Sequence, residues 1–350
     1  MHYGCPNIHN FTLNFERRVD AGGKSVLLCC EPAVPDPPAV PLGETGEETI
    51  QSFRQMRERM LLEGMMPSEE RTFTGGCLKC PSYRMDNWGS NFLIRYVNLS
   101  MYPSPCQSKC FYCDQQTSGV TLSSGTSPEP AGLGGDGVKN GYENVFGALD
   151  YAIGVGLIPP DTVWQVSCGE IAIHPYRDRI HDLVKGRTTI FFTNSFKFDE
   201  RIAANLVANP RSWINVSIDS GTGETWRRVK GFDNFGEVVE NLCRYRDGSG
   251  PNQIMLKYII FPGVNDDQAD FEAAVELMKT LRVGHMRLAR DFRAAAAPAA
   301  EESEKLAASA GRLVALLFQN KLSFDWLWFT PAEKDATVQA ATRVVTGAGR

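Results

Sequence analysis

From residue 92 onward, short runs rich in β-branched and aromatic residues alternate with amphipathic stretches of helical period, and this alternation restricts the chain to few folds. Strands are predicted over 92–99, 162–166, 188–193, 213–218, 255–261 and 285–288. Helices are predicted over 142–155, 176–184, 199–207, 235–245 and 267–281. A strand that lies parallel to its predecessor needs a crossover of about a dozen residues or more, and these helices supply it. The expected fold is therefore α/β, and six such strands fit a partial (β/α)6 barrel of the TIM-like kind. At 350 residues the chain has room for one large domain and a small one.

The ends read differently. Residues 1–88 mix short extended runs, 11–15 and 25–28, with the tight Ala21-Gly22-Gly23 step, a Pro-rich stretch over 31–41 and a helix over 47–63. That is the pattern of a small α+β module stapled by metal. Residues 89–293 form the barrel core, with a Gly/Ser/Pro-rich stretch at 114–141 that reads as a lid or as disorder. Residues 294–330 add an Ala-rich helix and a last strand over 322–329, and 331–350 read as a frayed tail.

Charge and hydropathy exclude several classes. A net charge of -5 gives no pull toward phosphate backbones, so nucleic acid is not an expected partner. No apolar run approaches the roughly 18 residues of a membrane span, and no basic stretch followed by an apolar segment marks the N-terminus for export. A cytoplasmic, reducing setting is expected. Ten cysteines there point to metal rather than to disulfides, and they cluster: Cys5, Cys29, Cys30, Cys77 and Cys80 early, then Cys106, Cys110 and Cys113 together.

The run Cys106-Gln-Ser-Lys-Cys110-Phe-Tyr-Cys113 follows the first barrel strand, at the end where barrel active sites sit. Three thiolates this close can hold three irons of a cubane cluster and leave the fourth iron open. Tetrahedral zinc would call for a fourth Cys or His, and Asp114-Gln115-Gln116 supplies only a carboxylate.

The C-x3-C-x2-C spacing, with aromatic Tyr112 before the last cysteine, resembles the signature of the radical S-adenosylmethionine (SAM) superfamily. The resemblance implies a SAM-binding 4Fe-4S cluster on Cys106, Cys110 and Cys113, with SAM cleaved to methionine and a 5′-deoxyadenosyl radical that abstracts hydrogen from substrate. It also implies cofactor-binding roles for Tyr112, for Gly169 and Glu170 in Ser167-Cys168-Gly169-Glu170 (SAM amino group), for Ser217 and Asp219 (ribose) and for Asn265 in Phe261-Pro-Gly263-Val-Asn265 (adenine). An electron donor such as flavodoxin or ferredoxin is the implied partner.

Cys77-Leu-Lys-Cys80 is the spacing that lets both sulfurs bind one metal from a single turn, and on spacing alone zinc and iron fit it equally. The order Cys5-Pro6, Gly22-Gly23, Cys29-Cys30, helix, Cys77-x2-Cys80-Pro81 resembles a SPASM or twitch auxiliary-cluster domain, here placed before the core instead of after it. The resemblance implies a second, auxiliary 4Fe-4S cluster on Cys5, Cys29, Cys77 and Cys80, with Cys29 favoured over Cys30 as ligand.

Cys243 reads as a buried small hydrophobe on a helix, and Cys168, at a strand end, either as a packed thiol or as a catalytic hydrogen-atom donor. The expected substrate is a small natural-product intermediate, sugar- or nucleoside-like, that is oxidised or epimerised. The rivals are peptide modification and a non-catalytic zinc or iron-sulfur scaffold.

Overall fold

The structure, a computed structural model, describes residues 2–15, 25–27, 39–67, 70, 77, 80, 83–87, 93–100, 104–113, 136–167, 169–250, 252–291, 293 and 299–347. Cys29, Cys30, Cys168, the Gly22-Gly23 step and most of the 114–141 stretch lie outside them. The chain divides into two compact units: residues 1–107 with 114–190, and residues 108–113 with 191–350.

In the first unit, β1 (His2–Gly4) and α1 (Pro6–His9) lead into β2 (Thr12–Asn14). Next come the short strands β3 (Ser25–Leu27) and β4 (Ala39–Pro41), paired antiparallel, then α2 (Gly46–Met65) and β5 (Arg84–Asp86), which pairs antiparallel with β1. The strand-helix alternation begins with β6 (Tyr96–Leu99), α3 (Asp136–Gly154), β7 (Val163–Val166), α4 (Arg177–Val184) and β8 (Thr189–Phe192), within which the division falls. β6 and β7 are parallel, with Asn98 level with Gln165.

Two differences from the sequence reading arise here. β2 joins the core strands: it pairs parallel with β6, Thr12 opposite Tyr96 and Asn14 opposite Asn98. Leu13 and Phe15 are fully buried, so the segment read as part of a separate module supplies core surface as well as backbone partners. α3 also begins at Asp136, inside the stretch read as a loop. α2 starts where its sequence says it should: Thr45 accepts from the Glu48 N–H while the Glu48 side chain accepts from the Thr45 N–H, a reciprocal cap.

In the second unit, α5 (Glu200–Ala208), β9 (Trp213–Ser217), α6 (Gly223–Lys230), α7 (Phe235–Gly248), β10 (Ile254–Ile259), α8 (Gln268–Leu281) and β11 (His285–Ala289) continue the pattern. α9 (Ala300–Gln319), β12 (Ser323–Leu327) and α10 (Pro331–Thr346) complete it. Strands β9, β10, β11 and β12 are parallel neighbours in that order. Both units are thus α/β with parallel strands and intervening helices, the class expected of a partial barrel.

The frayed tail expected after residue 331 is replaced by α10. Its start is fixed by Pro331 in the first turn and a reciprocal cap between Thr330 and Glu333. Glu333 is buried, and its carboxylate also accepts from Arg290 at 2.8 Å and from Ser303 at 2.8 Å. These partners lie 43 and 30 residues away, which is why local sequence gave no sign of them. Cys243, expected to be buried, is partly exposed on α7. Among the described residues no helix is long and apolar enough to cross a membrane.

Candidate active site

The first unit carries the start of the cysteine motif. Leaving β6, the chain passes Ser104 and Pro105 to Cys106, and this stretch is fixed against the turn that follows β7. The Glu170 N–H donates to the Pro105 carbonyl at 2.8 Å. Gly169 has φ +57, and a Cβ there would sit 2.5 Å from the Pro105 oxygen and 2.8 Å from the Ser104 Cβ. Only glycine suits both the backbone angle and the approach. The Gly169–Glu170 pair singled out by sequence therefore supports the cysteine-bearing turn. Glu170 itself is buried and accepts from the Ala172 N–H at 3.3 Å, capping a short 3-10 turn over Ile171–Ile173.

His174, read from the sequence by default as a capping or surface residue after the Glu170 loop, is buried beside the same stretch. Its Nδ1 accepts from the Tyr176 N–H at 3.1 Å, so the ring proton sits on Nε2, which faces the Tyr142 hydroxyl at 3.2 Å and Ser104 Oγ at 3.4 Å. Burial pushes the imidazole down to about 3, so it stays neutral. No local pattern distinguishes this histidine from a surface one.

On β2, β6 and β7 the same unit holds a cavity of about 290 Å³, lined by Asn7, Asn10, Thr12, Asn14, Tyr96, Asn98 and Gln165 with Pro6. Among the described residues, no charged side chain lines it. Cys5 sits beside it in sequence at the N-cap of α1 and is partly exposed. Cys77 and Cys80 are buried and share a turn, the Cys80 N–H donating to the Cys77 carbonyl at 2.9 Å.

The second unit carries the rest of the motif, residues 108–113, seated on the end of α6. The Lys109 N–H donates to the Lys230 carbonyl at 3.0 Å and the Phe111 N–H to the Val229 carbonyl at 3.2 Å. The motif thereby satisfies carbonyls that a helix end leaves open. α6 stops at Gly231, φ +74, where a Cβ would meet the Lys109 Cβ at 2.9 Å. Cys113 N–H donates to the Cys110 carbonyl at 3.0 Å, and Ser108 Oγ lies 2.9 Å from Cys110 Sγ. Cys113 is exposed and Cys110 partly so.

Beneath that turn lies a buried ionic cluster. The Tyr112 hydroxyl donates to Asp219 at 2.6 Å, Lys230 Nζ donates to the same oxygen at 2.5 Å, and the Ile259 N–H donates to the other at 2.7 Å. Burial, and then the Asp219 carboxylate, raise Tyr112 well above its ordinary value, so it remains a donor. Asn265 is likewise spent: its Nδ2 donates to the Asp219 and Ile259 carbonyls at 2.9 and 2.8 Å, and its oxygen accepts from the Phe261 N–H at 2.8 Å.

Asp219 and Asn265 thus face inward, with a hydrogen bond on every polar atom of their side chains. Tyr112 stacks on Phe261 inside the fold, centroids 5.1 Å apart, and the open aromatic of the motif is Phe111. Phe111 lines a second cavity of about 290 Å³ with Phe261, Pro262, Val264, Arg290 and Leu306. Ser217 stands partly exposed at the end of β9, level with Lys257 on β10.

Among the described residues no three His, Cys, Asp or Glu side chains are drawn close enough to hold a metal ion, and the motif cysteines are divided between the units, Cys106 in one, Cys110 and Cys113 in the other. What fits a cluster is the donor set: three thiols in no disulfide, all at least partly accessible, on turns that the rest of each unit holds in place.

The family description "Radical SAM superfamily" matches residues 104–278, half of the chain, and the protein belongs to that family. It is a radical SAM enzyme, and the family implies a 4Fe-4S cluster and SAM as cofactors. Among solved structures it is similar to Streptococcus suis SuiB bound to precursor peptide SuiA, at 10% identity and TM-score 0.47, over 80% of this chain and 53% of that one. The same enzyme bound to S-adenosylmethionine gives 11% identity and TM-score 0.47, over 80% of this chain and 55% of that one. A radical SAM methyltransferase from Sphaerobacter thermophilus gives 16% identity and TM-score 0.36, over 54% of this chain and 56% of that one. The chain spans about half the length of these structures. No curated protein matches it.

Proposed function

We propose that this radical SAM enzyme abstracts hydrogen from a small, neutral, polar molecule of the sugar- or nucleoside-like kind, leading to oxidation or epimerisation. The observation that carries the reading is the cavity of about 290 Å³, lined among the described residues by amides and hydroxyls without a charge. Its size falls at the low end of the roughly 300–1,000 Å³ typical of small-molecule sites. Such a lining suits hydroxyl and carbonyl groups and disfavours a phosphate or carboxylate, which would lose hydration without gaining a countercharge.

Cys106, Cys110 and Cys113 would hold the SAM-binding cluster. When bound, that cluster supplies the electron that splits SAM into methionine and a 5′-deoxyadenosyl radical. The protein's part is placement. Gly169 and Glu170 fix the Cys106 turn, the end of α6 fixes the Cys110 and Cys113 turn, and Phe111, Phe261 and Val264 offer an apolar surface for a purine. Loss of a hydrogen atom from substrate gives 5′-deoxyadenosine and a substrate radical. Oxidation would then remove a proton and one more electron, the electron passing to the proposed auxiliary cluster. Epimerisation would instead return a hydrogen atom to the opposite face, with Cys168 the proposed donor and its thiyl radical restored by a proton and an electron from the proposed flavodoxin or ferredoxin. Cys5, Cys29, Cys77 and Cys80 are the proposed ligands of an auxiliary 4Fe-4S cluster in a SPASM- or twitch-like arrangement. Flavodoxin or ferredoxin is the proposed reductant, and the cytoplasm the proposed setting.

Anaerobic reconstitution with iron and sulfide tests this. About eight irons per chain and SAM-dependent release of 5′-deoxyadenosine are expected; zinc in place of iron, with SAM intact, would overturn the enzyme reading. Deuterium transfer into 5′-deoxyadenosine from labelled nucleosides or sugars supports the substrate class, and transfer from a labelled peptide alone rejects it.

A further inference from the structure

The cavity in the first unit has a direction built into its hydrogen bonds. The Tyr96 hydroxyl donates to Gln165 Oε1 at 2.6 Å, which turns Gln165 Nε2 toward Asn98 Oδ1 at 3.0 Å. Ser100 Oγ donates to the same Asn98 oxygen at 2.9 Å. With donors converging on that atom, the Asn98 amide is oriented, and its Nδ2 donates to Asn14 Oδ1 at 2.6 Å. The ladder ends there. Asn14 is 2% exposed, lines the cavity, and its Nδ2 has no partner among the described residues. Turning the Asn14 amide over would set its NH2 against that of Asn98, so the neighbours lock the open donor in place. A buried donor without an acceptor costs about 1–3 kcal/mol, a cost that a ligand oxygen removes.

We propose that Asn14 is a specificity-determining residue whose carboxamide N–H donates to an acceptor oxygen, carbonyl or hydroxyl, of a neutral ligand in this cavity. The proposal deepens the small-molecule reading and rests on it for the ligand's catalytic fate, but not for binding. It also says what the site rejects: a ligand that presents only N–H groups at that point would meet donor with donor. Recognition of this kind discriminates strongly, because the wrong ligand leaves the protein's own polar group unpaired.

The test is binding of three probes to the reconstituted holoprotein: uridine and N-acetylglucosamine, which carry carbonyl oxygens, and glucosamine, which offers an ammonium group in place of the acetamide. Wild-type protein is expected to bind at least one carbonyl probe at millimolar concentration or better and to bind glucosamine more weakly. Asn14→Asp keeps the acceptor for Asn98 but replaces the open donor with an acceptor. It should weaken the carbonyl probe by about tenfold or more, which is about 1.4 kcal/mol, and improve glucosamine relative to it. Asn14→Leu, which adds no charge and covers the case in which the aspartate variant does not fold, should lose the carbonyl probe without gaining glucosamine. Unchanged affinity in a folded variant overturns the assignment, and so does failure of both carbonyl probes to bind wild type at millimolar concentration. Release of 5′-deoxyadenosine, measured in parallel, separates the two readings: its absence rejects the enzymatic function, whereas probe binding judges Asn14.

Discussion

A buried polar cluster in each unit shows a different chemistry. In the first, Asn14, Asn98, Gln165, Tyr96, Ser100 and Ser167 form a network of amides and hydroxyls. In the second, Tyr112, Asp219 and Lys230 form a closed ionic cluster, and Ser217, Lys257, Arg287 and Asp325 stand level with one another across four parallel strands. Arg287 and Asp325 form a two-pronged ion pair there, at 2.6–3.0 Å. A neutral network can end in an unmet donor at modest cost, and this one does, at Asn14. A buried charge is far more costly to leave unpaired, so the ionic cluster closes on itself and serves to hold the cysteine turn. Lys257, which has no ion-pair partner among the described residues, is partly exposed, and burial lowers it from its ordinary range with the Asp219 carboxylate opposing.

Breaking each interior in turn should expose the contrast. The largest effect is expected from Lys230→Met, which strands the Asp219 carboxylate: about 3–5 kcal/mol of stability, read by urea denaturation, with lower iron content after reconstitution. A loss below about 1 kcal/mol would show that the cluster is not the anchor it is taken to be. Asn98→Leu, at the centre of the neutral ladder, should cost less, up to about 3 kcal/mol, because Gln165, Ser100 and Asn14 lose partners without exposing a charge.

The first unit also has a pH limit, at His174. Unfolded, an imidazole takes its proton near pH 6.5; folded, His174 resists until about 3. Its contribution is therefore complete above the unfolded value and is lost as pH falls through that window. The loss is about 2 kcal/mol at pH 5. Denaturation midpoints at pH 7.5 and pH 5 should differ accordingly, and His174→Gln should flatten that difference. The smallest effect is expected from Asp325→Asn: Asp325 and Arg287 are both partly exposed, so about 1 kcal/mol or less, shrinking further in high salt.

Periodicity alone placed the barrel strands within a few residues, because a strand or helix needs only its own apolar spacing to declare itself. Cysteine spacing likewise marked the 106–113 motif. The packing of Gly169 and Glu170 on the Pro105 turn was not legible, since the sequence pointed them to the SAM amino group. Nor were the hydrogen bonds of Asp219 and Asn265. Both stand at strand ends, where a polar residue reads as available for ligand, and only packing shows that their atoms are already used.

What the sequence by itself determined is the α/β order of elements and the chemistry of three clustered thiols, because both are written in residues close together along the chain. Tertiary structure alone decided which polar groups meet: Asn14 with Asn98 across 84 residues, Tyr112 with Asp219 across 107, and β2 beside β6. Hydrogen bonds depend on distance and direction in space, and no local pattern carries either across such separations.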